Sequence, residues 1–201
     1  LTGRSLKSDY SQLLVAPINM KARFIDMIKL EAENARQGKP SGIIAKCNSL
    51  EERAVIEALY EASQAGVKID LIVRGFSCLK PGVAGLSENI RVVSVIGQFL
   101  EHSRVFWFRS GGNTELDGKF YIGSADWMTR NLHGRVEVAA PIEDKLGKEK
   151  IWETLQTLLK DKRQAWIMNS DGSYDLRRPE NPGEEVPAQD VLAEKTRMKA
   201  I

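Results

Sequence analysis

Short apolar runs alternate with four-residue periodicity through the first part of the chain. "QLLVAPI" predicts a strand, with Asn19 as the N-cap of a first helix. Met20, Phe24, Ile28 and Ala32 then recur every four residues, which places them on one helical face, and Gly38 and Pro40 end that helix. "GIIAKC" predicts a second strand. Ser49 and Glu52 have capping-box spacing ahead of the helix "LEERAVIEALYEASQAG", which Gly66 closes. "VKIDLIVRG" predicts a third strand. Strand, helix, strand, helix, strand implies parallel pairing through crossovers.

After Gly75 the rhythm changes. "FSCLKPGVAGLSEN" has the glycine and proline content of a loop, and "IRVVSVI" comes next as a fourth strand. "RVFWF" and "KFYIGSA" flank the turn-rich "RSGGNTELDG", so a hairpin is expected. Trp107 and Phe108 alternate as core residues do. "RVEVAAPI" is a further strand, "LGKEKIWETLQTLLKDK" an amphipathic helix, and "QAWIM" a last strand. Beyond Asn169, "SDGSYDLRRPENPGEEVPAQD" reads as a surface tail before a helix from about Ala188 to Lys199. The fold class is α/β with a mixed β-sheet flanked by helices. Residues 1–170 form the domain, and 171–201 a tail and helix packing on it.

Composition narrows the options. Of 201 residues, 42% are apolar and 28% charged, ordinary for a globular domain with a substantial core. A net charge of +2 is too small for a general nucleic-acid binder, so any anion site is local and no nucleic-acid partner is expected. Cys47 and Cys78 form no zinc-ligand spacing; in a reducing cytoplasm both are expected to be buried, unbridged hydrophobes. No apolar stretch approaches the roughly 20 residues that span a bilayer, and no signal peptide is visible. The opening "LTGRSLKSDY" reads like the interior of a longer or processed polypeptide.

In open α/β sheets, ligands bind beyond the carboxyl ends of the strands. That rule selects Lys46 and Asn48 after strand two, Arg74 after strand three, and Ser124 and Asp126 after "YIG". His102 and Arg104 join them only if "RVFWF" runs antiparallel to its neighbours. Such a set, with helix N-termini near Asn19 and Asn48, suits phosphate. Each residue also has a plainer reading: Arg74 as a surface ion pair, Ser124 as a turn former, Asp126 as the N-cap of a helix at "WMTRN". Arg104, Arg109, Arg130 and Arg135 cannot all be ligands. His133 reads as a loop histidine. His102 has polar neighbours on both sides and a side chain able to exchange protons near neutral pH.

"HSR" and "GSAD" echo the H-x-K…GS-x-N half-motif of the phospholipase D superfamily, with Arg104 at the lysine and Asp126 at the asparagine position. More specifically, "LLVAPINMKARF", "IIAKCNSLEE", "IDLIVRGFSCLKPGV", "GLSENIRVVSVIGQFLEHSRVFWF" and "YIGSADWMTRNLHGRVEVAAPI" occur in this order over Leu13–Ile142. In this the chain resembles the second C-terminal, phospholipase-D-like domain of bacterial polyphosphate kinases. The resemblance implies that Arg74 contacts ATP phosphates and that His102 is catalytic and phosphate-binding, with Lys46, Asn48, Arg104, Ser124 and Asp126 as weaker candidates. It implies ATP as substrate and polyphosphate as product, through a phosphohistidine on a neighbouring domain absent from this chain. Mg2+ is implied for the full enzyme, with no metal ligand in this chain. Implied too are partner domains in the same polypeptide, a homo-oligomer, a cytoplasmic location with peripheral membrane association, and an inactive isolated fragment. The sequence departs from the family pattern at "RGFSCLKPG", where Lys80 keeps the charge, and at His133–Gly134, where an Asp–Arg pair is common. Two other readings stand beside this one: a phospholipase-D-type phosphodiesterase or nuclease, and a non-catalytic anion-binding assembly domain.

Overall fold

Three layers, helices on both faces of one nine-stranded sheet, organise the chain in its computed structural model, which describes residues 9–181, 183, 185 and 187–199. In chain order these are β1 (Leu14–Ala16), α1 (Met20–Arg36), β2 (Ile43–Cys47), α2 (Arg53–Gln64), β3 (Ile69–Val73), β4 (Ile90–Val95) and β5 (Arg104–Phe108). Next come β6 (Lys119–Gly123), β7 (Glu137–Ile142), α3 (Lys145–Leu159), β8 (Ala165–Met168), β9 (Tyr174–Leu176) and α4 (Ala188–Lys199). The sheet order is β1-β7-β6-β5-β2-β3-β4-β8-β9.

The α/β reading and the predicted helix faces hold: Met20, Phe24, Ile28 and Ala32 are all buried. So does the β5–β6 hairpin, which pairs Phe106 with Tyr121. Isolated parallel bridges join Leu50 to Ser77 and Trp127; among the named strands, parallel pairing is confined to β2–β3 and β3–β4. β1 does not join them; it pairs antiparallel with β7 at the far edge, with β7, β6 and β5 between it and β2. Alternating element types cannot reveal that β5, β6 and β7, supplied later in the chain, are inserted between the first two strands.

After Asn169 the expected helix forms and packs on the domain, but the stretch before it is more than a surface tail. Tyr174–Leu176 adds a ninth strand on β8, and α4 packs on α3. The Ser49–Glu52 capping box does not form either: α2 starts at Arg53 with no side-chain cap. The backbone N–H groups of Glu51 and Glu52 instead donate to the Trp127 carbonyl, at 2.8 and 2.9 Å.

One face of the sheet packs against α1 and α2 around Phe24, Phe106 and Trp127; Phe106 and Trp127 are stacked with ring centroids 5.1 Å apart. The other face packs Ile44, Val93, Trp107 and Phe120 against Leu155 and Leu158 of α3 and Ala188 of α4. Because β5 runs antiparallel to β2, its first residue lies at the edge where β2 and β3 end. That edge gathers Asn48, Arg74, His102, Arg104 and, from the end of β6, Ser124.

Candidate functional site at the carboxyl edge of the sheet

The centre of this edge is a buried charged layer. Lys46, 1% exposed at the end of β2, donates from Nζ to the Ser103 carbonyl at 3.2 Å and lies 3.4 Å from Glu101 Oε2. Burial lowers its pKa, the Glu101 carboxylate pulls the other way, and the nearby Arg74 cation adds to the lowering. Beside it, Asp126 accepts four hydrogen bonds: from Asn48 N at 2.6 Å, Asn48 Nδ2 at 3.1 Å, Arg104 Nε at 3.1 Å and Arg104 Nη2 at 2.9 Å. Burial raises the Asp126 pKa, but the Arg104 and Asn48 donors outweigh it and hold the carboxyl below the usual aspartate range. Asp126 is therefore no helix cap. The nearest helical turn, a π-type segment over Arg130–Gly134, has Thr129 at its N-cap position.

Around this layer the remaining candidates differ in what they leave free. Ser124 is more than a turn former: its Oγ bonds the Glu137 carboxylate and accepts from Val138 N at 3.2 Å. Arg104 is committed to Asp126 and to the His102 carbonyl, 2.8 Å from Nη1. His133, half exposed, faces Glu52 at 3.4 Å. Glu52 also accepts from Thr129 Oγ1 at 2.8 Å. Burial raises the Glu52 pKa, and its Thr129, His133 and Lys21 partners bring it below the ordinary value. Arg109 stands at the opposite edge, bonded to Gly112, Asn113 and Glu115.

Arg74 and His102 stand apart. Among the described residues, neither side chain has a hydrogen bond or ion pair, and His102 is exposed while Arg74 is half-buried. The backbone after β3 is held against β2, Gly75 N donating to the Asn48 carbonyl at 2.7 Å; a Cβ on Gly75 would meet that same oxygen at 2.7 Å, so only glycine fits. Arg74 and the His102 loop thus flank Lys46, the first acting on it through its charge and the second through the Ser103 carbonyl.

The residues missed at the level of sequence are Glu101 and Gln189, which hold the His102 loop. Glu101 adjoins the histidine and could have been suspected. Gln189 carries no local signal. Nor are both cysteines buried: Cys47 is, with burial pushing its thiol up to about 12, whereas Cys78 is exposed and unbridged. The Cys78 amide is tied to the Leu50 carbonyl at 2.8 Å in an edge loop, where the side chain faces outward. Among the described residues no group of three or more His, Cys, Asp or Glu could hold a metal ion, and no helix is long and apolar enough to cross a membrane.

Comparison with known proteins bears on this arrangement. The family profile described as polyphosphate kinase C-terminal domain 2 matches residues 13–189. The polyphosphate kinase of Synechocystis sp. is 52% identical over 192 residues, covering 96% of this chain and 26% of that protein. That of Pseudomonas aeruginosa is 47% identical over 193 residues, covering 96% of this chain and 27% of the relative. The chain thus spans about a quarter of these relatives' length. The crystal structure of polyphosphate kinase from Porphyromonas gingivalis superposes with a TM-score of 0.90 at 37% identity, over 98% of this chain and 30% of that one. Nuc from Salmonella typhimurium, a phospholipase D family member, matches with a TM-score of 0.56 at 15% identity, over 79% of this chain and 97% of that one, which shows a shared fold. The chain belongs to the polyphosphate kinase family, as its C-terminal domain 2.

Proposed function

We propose that this domain supplies the phosphate clamp and the acid–base group for reversible transfer of the ATP γ-phosphate to polyphosphate, within a longer polypeptide whose neighbouring domain carries the phosphorylated histidine. One observation carries the reading: at an edge where Lys46, Arg104 and Asp126 are consumed by internal pairs, Arg74 and His102 alone of the carried-over candidates have side chains free of hydrogen bonds and ion pairs among the described residues. Phosphoryl transfer depends on positioning and charge neutralisation more than on covalent chemistry by the protein. A planar guanidinium suits two phosphate oxygens at once, which a lysine ammonium does not. The His102 imidazolium would donate its proton to the oxygen that leaves phosphorus, a role worth roughly 10²–10⁴-fold. Asn48, Arg104 and Asp126 then act as framework beneath these two, and Ser124 fixes the start of β7 through Glu137 and Val138.

Among the described residues no group of three or more His, Cys, Asp or Glu could hold a metal ion, and we assign the Mg2+ ligands to the remainder of the enzyme; no step here runs through it. Cytoplasmic location, peripheral membrane association and homo-oligomerisation belong to the same proposal for the full protein, as does the inactivity of the fragment alone. In the full-length enzyme, His102→Ala and Arg74→Ala should abolish polyphosphate synthesis without unfolding the protein, and Arg74→Lys should restore little, because lysine lacks the bidentate geometry. Near-normal synthesis in both alanine variants would overturn the reading. Hydrolysis of bis(p-nitrophenyl) phosphate by this chain alone would favour a phosphodiesterase instead; the pairing of Arg104 with Asp126 argues against it, since the cation of the half-motif is already neutralised.

A further inference from the structure

The loop that presents His102, residues 96–103, contains neither helix nor strand, and Ile96, Phe99 and Leu100 within it are exposed. Apolar burial therefore does not hold it. Its backbone is held from elsewhere. Gln189, the second residue of α4 and 3% exposed, grips Phe99 on both sides: Phe99 N donates to its Oε1 at 2.9 Å, and its Nε2 donates to the Phe99 carbonyl at 2.8 Å. A neighbouring strand would make the same pair of bonds. The same Nε2 donates to Glu101 Oε1 at 3.0 Å. The other Glu101 oxygen faces Lys46 Nζ, which also holds the Ser103 carbonyl. Both residues flanking His102 are thus tied into one chain of contacts leading from α4 to the end of β2.

The anchor itself is firm. Ala188 N, at the start of α4, donates to Asp161 Oδ2 at 2.7 Å, and the fully buried Asp161 also accepts from the amides of Arg163, Gln164 and Ala165. The loop backbone lies directly on the glutamine: a Cβ on Gly97 would collide with Gln189 Oε1 and with Gln164 Nε2.

We propose that Gln189 is a positioning residue for His102, setting through Phe99, Glu101 and Lys46 where the imidazole stands at the sheet edge. The proposal rests on the site described above. An exposed imidazole on an untethered coil would sample many placements, and a displacement of about 1 Å from the reacting atoms can lower turnover by roughly 10²-fold. Gln189 touches no reacting atom. Its effect passes entirely through the loop, so it should act on turnover rather than on ATP binding.

The test uses the full-length enzyme with Gln189→Met, which keeps the side chain's length and removes its hydrogen bonds, and Gln189→Glu, which keeps the acceptor for Phe99 N but sets a carboxylate against Glu101. Both should lower kcat about ten- to a hundredfold. Both variants lose some thermal stability, since Gln189 is buried and bonded, but at an assay temperature where they are folded the KM for ATP should stay near wild type and hydrogen–deuterium exchange over residues 96–104 should speed up. Gly97→Ala disturbs the same clamp from the loop side and gives the readout if a Gln189 variant does not fold. Wild-type kcat in a folded variant whose loop exchanges freely overturns the proposal; so does a loss that appears in KM, or one that disappears when activity is expressed per folded molecule. His102→Ala run in parallel separates the two levels. If it is inactive while Gln189→Met is fully active, the positioning role alone falls; if it too is fully active, the site reading falls with it.

Discussion

Replacing Asp126 by alanine removes the acceptor at the centre of the buried layer, and the structure allows its effect to be sized. Asp126 is 6% and Arg104 13% exposed in their side chains, so the guanidinium cannot recover full hydration when its partner goes. Breaking a buried ion pair from one side is worth about 3–5 kcal/mol, because an uncompensated charge remains. The Asn48 amide, bonded to the same carboxylate at 2.6 Å, loses its acceptor as well. Arg104's small exposure favours the lower half of that range, so about 3–4 kcal/mol is expected. With a urea dependence of about 2 kcal/mol/M for a chain of this size, the urea midpoint should fall by roughly 1.5–2 M. By contrast Arg53→Ala, at the exposed Arg53–Glu57 pair, should leave the midpoint in place. Acid adds a second signature. The folded-state pKa of Asp126 lies below its unfolded value near 3.8, so its contribution is complete above that pH and is lost as pH falls through the lower folded value. Asp126→Ala should flatten the wild-type decline in stability below about pH 4. A midpoint shift no larger than that of a surface pair, with an unchanged acid profile, would refute the reasoning.

Three further outcomes can be checked directly. Ser110 has φ of 54°, and its Oγ is buried without a partner among the described residues, while the hydrogen bond from its amide to Glu31 Oε1 at 2.6 Å needs no side chain. Ser110→Gly relieves a left-handed conformation worth about 1–2 kcal/mol and adds about 0.5–1 kcal/mol of chain entropy, so a gain of about 0.5–1 kcal/mol should appear in urea titrations; a loss would contradict it. Iodoacetamide at mildly alkaline pH should alkylate Cys78 in the native protein and reach Cys47 only after denaturation, as mass spectrometry of the peptides would report. Gly118→Ala should destabilise the β5–β6 hairpin, because a Cβ there meets the Phe108 carbonyl and Trp107 Nε1, each at 2.6 Å; an unchanged thermal midpoint would show that the turn yields freely.

Much of this protein is determined locally. The four-residue spacing of Met20, Phe24, Ile28 and Ala32 dictates which face of α1 is buried, and Gly38 and Gly66, both at positive φ, end the first two helices as their chemistry requires. The identities of β1 to β8, the hairpin and the family membership were legible, since each rests on residues near one another or on motifs in fixed order; β9, three residues within a polar segment, was not. The partners of charged groups were not. Asp126 had the spacing of a helix cap, yet its carboxylate serves Asn48, 78 positions away, because antiparallel β5 and β6 bring the two to one edge. Lys46, a candidate for phosphate, lies 3.4 Å from Glu101, a pairing that no local pattern announced. The segment holding Gln189 had the composition of a tail, and only the docking of α4 brings that residue to Phe99, 90 positions earlier. Periodicity reports which face of an element is dry. Which distant carboxylate, amide or carbonyl satisfies a buried polar group depends on strand order and direction, and these are settled only when the sheet closes.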